Sequence, residues 1–147
     1  MFTIESSPII SDLDLDYIKA LSQSNMESDT VLVTGGAGFI GHHLTSTLLS
    51  QGRKVKVLDD FSSGTELPTH PLLTVIEGDM SESSVREEAL HEVKSVINLA
   101  AIASVPLCES KPKLSSRVNY LAAQGLFKDA FRLGVSTIIQ ASTSALY

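Results

Sequence analysis

From Thr30 onward, short apolar runs alternate with longer segments in which apolar residues return every three or four positions. The short runs are Val31-Leu32-Val33, Val55 to Leu58, Leu72 to Ile76, Val96 to Leu99 and Thr137 to Ala141. They are too brief for helices and rich in β-branched residues, so they are predicted strands. Phe39 to Ser50, closed by Gly52, is a predicted helix, as are Glu82 to Glu92 and a segment over about 114–133 that ends at Gly134. A turn-rich stretch containing Ser62-Ser63-Gly64, Pro68 and Pro71 divides the second strand from the third. Strands and helices alternating in this rhythm predict an α/β fold, a parallel sheet with helices on both faces.

Residues 1–29 fall outside that rhythm and read as a separate acidic extension to a domain over 30–147. Ser11 and Asp14 resemble a capping box, and Leu13, Tyr17 and Leu21 then recur at four-residue spacing, which predicts a short amphipathic helix over about 12–24. Such a helix either docks on the domain surface or serves as a partner-binding segment. The extension holds Glu5, Asp12, Asp14, Asp16, Glu27 and Asp29 against Lys19, five of the net −6 charges of the chain. The rest is close to neutral and has no basic run to grip a phosphate backbone, which argues against nucleic-acid binding. No apolar run approaches the roughly 18 residues that cross a bilayer, and the acidic start is unlike a secretory signal. A cytoplasmic protein without a membrane partner is the reading that follows. Cys108 is the sole cysteine and has no partner for an internal disulfide.

The chemistry concentrates where the first strand meets the first helix. Gly35, Gly38 and Gly41 fall as G-x-x-G-x-x-G in Thr34-Gly35-Gly36-Ala37-Gly38-Phe39-Ile40-Gly41. Gly35 suits a tight turn, Gly38 admits a pyrophosphate close to the backbone, and Gly41 lets helix pack on strand. The opening helix, with Phe39, Ile40 and Gly41, then offers free N–H groups and a positive dipole end to phosphates. Asp59 ends the second strand 18 residues past Gly41, where a carboxylate accepts hydrogen bonds from both ribose hydroxyls and repels a 2′-phosphate. Asp60 is either a second ribose contact or a turn residue. Arg53, Lys54 and Lys56 precede or lie within the strand, away from the place of a 2′-phosphate, so the expected cofactor is NAD rather than NADP. Together these features predict a Rossmann-type doubly wound sheet of order 3-2-1-4-5. His42 and His43 have no acid, His or Cys at metal-ligand spacing, and no metal is expected.

The TGGAGFIG turn, VLDDFSSG (57–64), EGDM (77–80), NLAA (98–101), VN (118–119) and ASTSALY (141–147) stand in the order seen in extended short-chain dehydrogenases. More narrowly, the chain resembles the NAD-dependent epimerase/dehydratase family that acts on nucleotide sugars. The resemblance covers about 30–147 and implies further roles. Asp79 resembles the acid that hydrogen-bonds the adenine amino group, with Met80 beside the ring. Leu99, Ala100 and Ala101 resemble the segment lying along the phosphates and nicotinamide ribose. Asn119 matches a structural asparagine, and position 98 is Asn where many members have His. Thr143 matches the catalytic Ser/Thr whose hydroxyl holds the reacting sugar oxygen while a tyrosine moves the proton.

In the family that tyrosine belongs to a Tyr-x-x-x-Lys pair, in which the lysine lowers the phenol from about 10 toward working pH. These 147 residues hold no such pair: Tyr17 is followed at that spacing by Leu21, Tyr120 by Gln124, and Tyr147 is the last residue. The later strands of the family fold are missing as well. Two readings stand. The chain is the NAD-binding portion of a nucleotide-sugar epimerase or dehydratase, inactive by itself and in need of a remainder that completes the sugar site. Alternatively, it is a non-enzymatic module that binds a dinucleotide or a partner. On either reading the fifth strand is an unprotected edge, where self-association or a second polypeptide is expected.

Overall fold

The computed structural model describes residues 29–63 and 65–142; the helix expected over about 12–24, Thr143 and Tyr147 lie outside them. The elements are β1 (Thr30–Thr34), α1 (Phe39–Ser50), β2 (Val55–Asp59), β3 (Leu73–Glu77), α2 (Ser83–Leu90), β4 (Val93–Asn98), α3 (Val105–Ser110), α4 (Pro112–Ser116), a π-helical segment (Arg117–Ala122), α5 (Ala123–Arg132) and β5 (Thr137–Gln140). The five strands form one parallel sheet in the order β3-β2-β1-β4-β5, as expected.

The central strands are apolar on both sides because both sides are covered. Val31, Val33, Val55 and Val57 face α1, packing with Leu44, Leu48 and Leu49. Leu32, Leu58 and Val96 face the other way, against Ala89 and Leu90 of α2 and Leu126 and Ala130 of α5. Each fully buried valine or leucine contributes roughly 1.5–3 kcal/mol, so the two half-cores fix the register that brings all the strand carboxyl ends to one edge. Among the described residues β5 pairs with β4 alone, and Ile138 and Ile139 are exposed.

Three departures from the sequence pattern have local causes. β4 begins three residues before Val96, at Val93; Lys94 and Ser95 hide the strand because Lys94 points to solvent, yet Val93 is in the core. A short helix, α3, was not anticipated. It buries no residue fully and is set by its start, where the Ser104 hydroxyl accepts the Leu107 N–H and a proline sits in the first turn. The helix expected over 114–133 starts at Pro112 and is interrupted by the π-helical turn, a feature that concentrates at functional positions.

One buried charge ties the half-core of α2 to α5. Arg86 donates through Nε to Asp129 at 2.7 Å and through Nη1 to the carbonyls of Met80 and Ser81, both at 2.9 Å. Its guanidinium lies over Gly125, where a Cβ would come within 2.8 Å of Cζ. A side chain at 125 would press on the Arg86 guanidinium. Arg86→Ala leaves Asp129 and two carbonyls short of donors and is expected to destabilise the fold by about 2–4 kcal/mol. Thermal or urea unfolding checks this, and a loss below about 1 kcal/mol contradicts it.

Candidate functional site

The glycine turn is built by contacts that allow no side chain. Gly35 has φ +66°, and a Cβ there would meet the Ala100 nitrogen at 2.8 Å. A Cβ on Gly41 would overlap the Gly35 carbonyl oxygen and lie 2.6 Å from the Gly36 Cα, so α1 rests directly on the turn. Gly38 differs. Its φ is −69°, and a Cβ would approach only the Gly35 carbonyl, at 3.2 Å. The space in front of Gly38 is therefore open, a cradle that one methyl group would begin to fill. No side chain caps α1, and its first turn holds no acid. The first-turn N–H groups of Phe39, Ile40 and Gly41 have no intrahelical acceptor, and Phe39 and Ile40 are exposed. The edge fits an anionic group such as a pyrophosphate.

Asp59 is joined to this turn. Its Oδ2 accepts the Ala37 N–H and its Oδ1 the Phe61 N–H, each at 2.9 Å. Each carboxylate oxygen keeps a second lone pair, so a half-buried acceptor remains beside the turn. Phe61 has φ +53°, the bend that carries the chain around Asp59. Asp60 is exposed and closes a local turn, its Oδ1 accepting both the N–H and the hydroxyl of Ser62. Of the two roles read for it in the sequence, the turn is present in the fold. Arg53 lies six positions before Asp59, about 20 Å along an extended strand, so it cannot serve a phosphate on the ribose there.

After β3, Asp79 accepts the Ser81 N–H at 2.8 Å and pairs with Arg117 at 3.1 Å. Burial pushes its carboxyl up, but the two Ser81 donors and the Arg117 guanidinium outweigh burial and hold it below its ordinary 3.8. The Met80 side chain is buried among Leu58, Leu90 and Val96, and its carbonyl is held by Arg86. After β4, Leu99 and Ala100 are half-buried and Ala101 is exposed. Asn119 clamps the next residue from both sides, accepting the Ile102 N–H at 2.8 Å and donating to its carbonyl at 3.1 Å. Arg117 and Asn119 both belong to the π-helical turn, so one segment steadies the loops after β3 and β4.

A polar chain, buried at Thr34 and Asn98, crosses the same edge and was not anticipated. The Thr34 hydroxyl donates to the Asn98 side-chain Oδ1 and accepts the Ala100 N–H. Asn98 then donates to Gln140 on β5 at 2.7 Å. Thr34 and Asn98 are almost wholly buried. The ends of β1, β4 and β5 are thus fixed to one another by side chains as well as by the ladder. The signal in the sequence was a polar residue closing each of three apolar runs. Gly36 was missed too: a Cβ there would strike Val57 at 2.6 Å, so its absence lets the turn pack on β2. The turn, Asp59, Asp79 and Leu99 to Ala101 therefore share the carboxyl edge, and Thr143 lies just past the described residues, beyond β5.

The sequence model of the NAD dependent epimerase/dehydratase family matches residues 31–147. A UDP-glucose 4-epimerase from Azospirillum brasilense is 30% identical over 129 residues, covering 86% of this chain and 37% of that protein. A 3 beta-hydroxysteroid dehydrogenase/Delta 5-->4-isomerase from Mycobacterium tuberculosis is 32% identical over 124 residues, covering 82% and 33%. Among solved structures, the UDP-glucose 4-epimerase of Thermus thermophilus in complex with NAD has a TM-score of 0.72 and 35% identity, covering 78% of this chain and 37% of that one. The chain thus spans about a third of the length of the relatives it matches.

Two measurements separate the roles of these groups. Gly41→Ala forces α1 off the turn and is expected to lower the melting temperature markedly, whereas Gly38→Ala leaves the melting temperature nearly unchanged and abolishes detectable dinucleotide binding. Equal thermal losses in the two variants would contradict the cradle. For Asp79, a folded value below 3.8 means that the stabilisation is present above that pH and is lost as pH falls through the folded value. Asp79→Asn should therefore melt below the unaltered chain at pH 7, and the gap should close as pH falls below 3.8.

Proposed function

The chain belongs to the NAD dependent epimerase/dehydratase family, and on that premise we propose that it forms the NAD-binding portion of an enzyme acting on a nucleotide sugar. The observation that carries the reading is the Asp59 carboxylate, hydrogen-bonded to Ala37 of the glycine turn with lone pairs to spare. In this reading Gly35 and Gly38 clear the approach, and the N–H groups of Phe39, Ile40 and Gly41 hold the pyrophosphate. Asp59 accepts from the adenosine ribose hydroxyls, with Asp60 bracing the turn beside it. Asp79 accepts from the adenine amino group, while Met80 supports that loop from the core. Leu99, Ala100 and Ala101 line the path toward the nicotinamide.

Bound NAD supplies a hydride acceptor that can later return the hydride. The part of these residues is to hold the reacting ring at the strand edge and keep water from its buried side. In this reading Thr143, three residues beyond Gln140 in the sequence, steadies the reacting sugar oxygen with its hydroxyl. The proton itself needs a Tyr-x-x-x-Lys pair, which these 147 residues do not contain. The UDP-glucose 4-epimerases among the sequence and structural relatives support a nucleotide sugar as substrate. The partner completing the site meets β5, where Ile138 and Ile139 are exposed and a further strand finds open backbone groups.

NAD is expected to bind at least about tenfold more tightly than NADP in calorimetric titration, a difference of about 1.4 kcal/mol. Asp59→Asn, which keeps an acceptor for the turn and removes the charge, should narrow that ratio. Asp59→Ala should weaken both cofactors because Ala37 loses its partner. Tighter binding of NADP by the unaltered chain would overturn the assignment. The 147-residue polypeptide by itself should show no epimerase turnover and should self-associate as its concentration rises. Ile138→Lys is expected to suppress that association in sedimentation; a monomer indifferent to the substitution contradicts the edge argument.

A further inference from the structure

The amino ends of the strands, at the opposite end of the sheet from the glycine turn, enclose a groove of about 630 Å³. Thr30, Lys54, Lys56, Leu72, Thr74 and Lys94 line it, over an apolar floor that includes Val55 and Pro71. Among the described lining residues Glu92 is the one acid, so three ammonium groups there face a single carboxylate. Lys56 is anchored by donating to the His91 carbonyl at 2.6 Å, which fixes one of these charges at the end of α2. Next to the groove residue Lys54 in the chain, Arg53 has a buried Nε with no acceptor among the described residues. The domain beyond residue 29 is nearly neutral overall, so this is a local concentration of positive charge within an acidic protein.

We propose that residues 1–28 of this same chain dock in that groove, their acidic side chains set against Lys54, Lys56 and Lys94. Connectivity supplies the first argument. Thr30 lines the groove, and Glu27 is three residues upstream, within roughly 10 Å even when fully extended. That is comparable to the screening length of about 8 Å at physiological ionic strength, so Glu27 remains within the field of the lysines. Charge is the second. Residues 1–28 carry Glu5, Asp12, Asp14, Asp16 and Glu27 against Lys19, a charge opposite in sign to that of the groove. Pattern is the third: Leu13, Tyr17 and Leu21 offer an apolar stripe to a groove whose floor is apolar. Tethering adds an effective concentration of order millimolar for a short flexible connection, which favours the chain's own segment over a free acidic ligand. The dock leaves the glycine-turn edge open, so the segment is not part of the dinucleotide site.

Zero-length carbodiimide coupling on the full chain, read by mass spectrometry, tests the dock because it joins only carboxylates and amines already in contact. Glu27 is held near the groove by the backbone, so links from Asp12, Asp14 or Asp16 decide the matter. The expected result is that these acids couple to Lys54, Lys56 or Lys94 in preference to Lys111, Lys113 and Lys128. In about 1 M salt, where the screening length falls to about 3 Å, their yield should drop several-fold. Lys54→Gln should lower the yield of the remaining links to Lys56 and Lys94, while circular dichroism and NAD binding stay unchanged. Links spread evenly over all lysines, or insensitive to salt, overturn the proposal. A mixture of isotopically heavy and light chains identifies the occupant: links within one chain support the dock, and mixed-isotope links assign the groove to the segment of a second copy and overturn it.

Discussion

No side chain fits between α1 and the turn that precedes it. A methyl group at position 41 would overlap the Gly35 carbonyl oxygen, and one at position 35 would enter the backbone of Ala100. The helix start, the end of β1 and the end of β4 are therefore in direct backbone contact. Everything at the carboxyl edge inherits its position from that contact. The Asp59 carboxylate reaches the Ala37 N–H because the turn lies down on β2, which in turn requires that position 36 present no Cβ to Val57. The Thr34 hydroxyl meets both Asn98 and the Ala100 N–H because β4 runs up against the turn. The free N–H groups of α1 are aimed by the same geometry, and preorganised donors bind an anion without spending free energy on their own reorientation.

The two ends of the sheet carry different physics. The carboxyl edge is held by partnered polar groups: buried Thr34 and Asn98, the latter reaching exposed Gln140, and buried Arg86 between Asp129 and two carbonyls. Buried polar groups are costly unless paired, and once paired they specify one arrangement. The amino edge sets lysines around a groove, where charges interact over distance and respond to salt. Rigid short-range contacts suit an edge that must place a cofactor. Screened long-range attraction suits an edge that recruits an acidic segment of the same chain.

The sheet order was legible because β-branched runs, helical periodicity and the glycine turn all pointed to one topology. The residues left unread share a cause. Thr34, Asn98 and Gln140 are ordinary polar residues in sequence and become a chain only when strands 64 and 42 residues apart converge. Arg86 looks like one more charge on a helix with a polar pattern, and nothing local says that its guanidinium will be buried against Gly125. The start of β4 was hidden by Lys94, exposed at the groove, and half-buried Ser95, whose polarity does not mark the absence of a strand. Short-range pattern announces backbone state; partners distant in the chain do not leave such a mark.

Why the cofactor is more legible than the substrate follows from where each makes its contacts. In the proposed site the dinucleotide would be read by backbone donors, glycines and two carboxylates, at the carboxyl ends of β1 and β2 and in the turn after β3. Those requirements are fixed by the shape of NAD and are the same whatever molecule is oxidised. A proposed nucleotide-sugar substrate would touch this portion only near Leu99 to Ala101 and Thr143, and its distinguishing groups would lie beyond the fifth strand. The relatives reflect this division: an epimerase named for UDP-glucose and a dehydrogenase named for 3 beta-hydroxysteroids match nearly the same stretch at nearly the same identity. A sugar nucleotide and a sterol share no recognition chemistry, so what the two proteins have in common over this third of their length cannot be the part that tells their substrates apart.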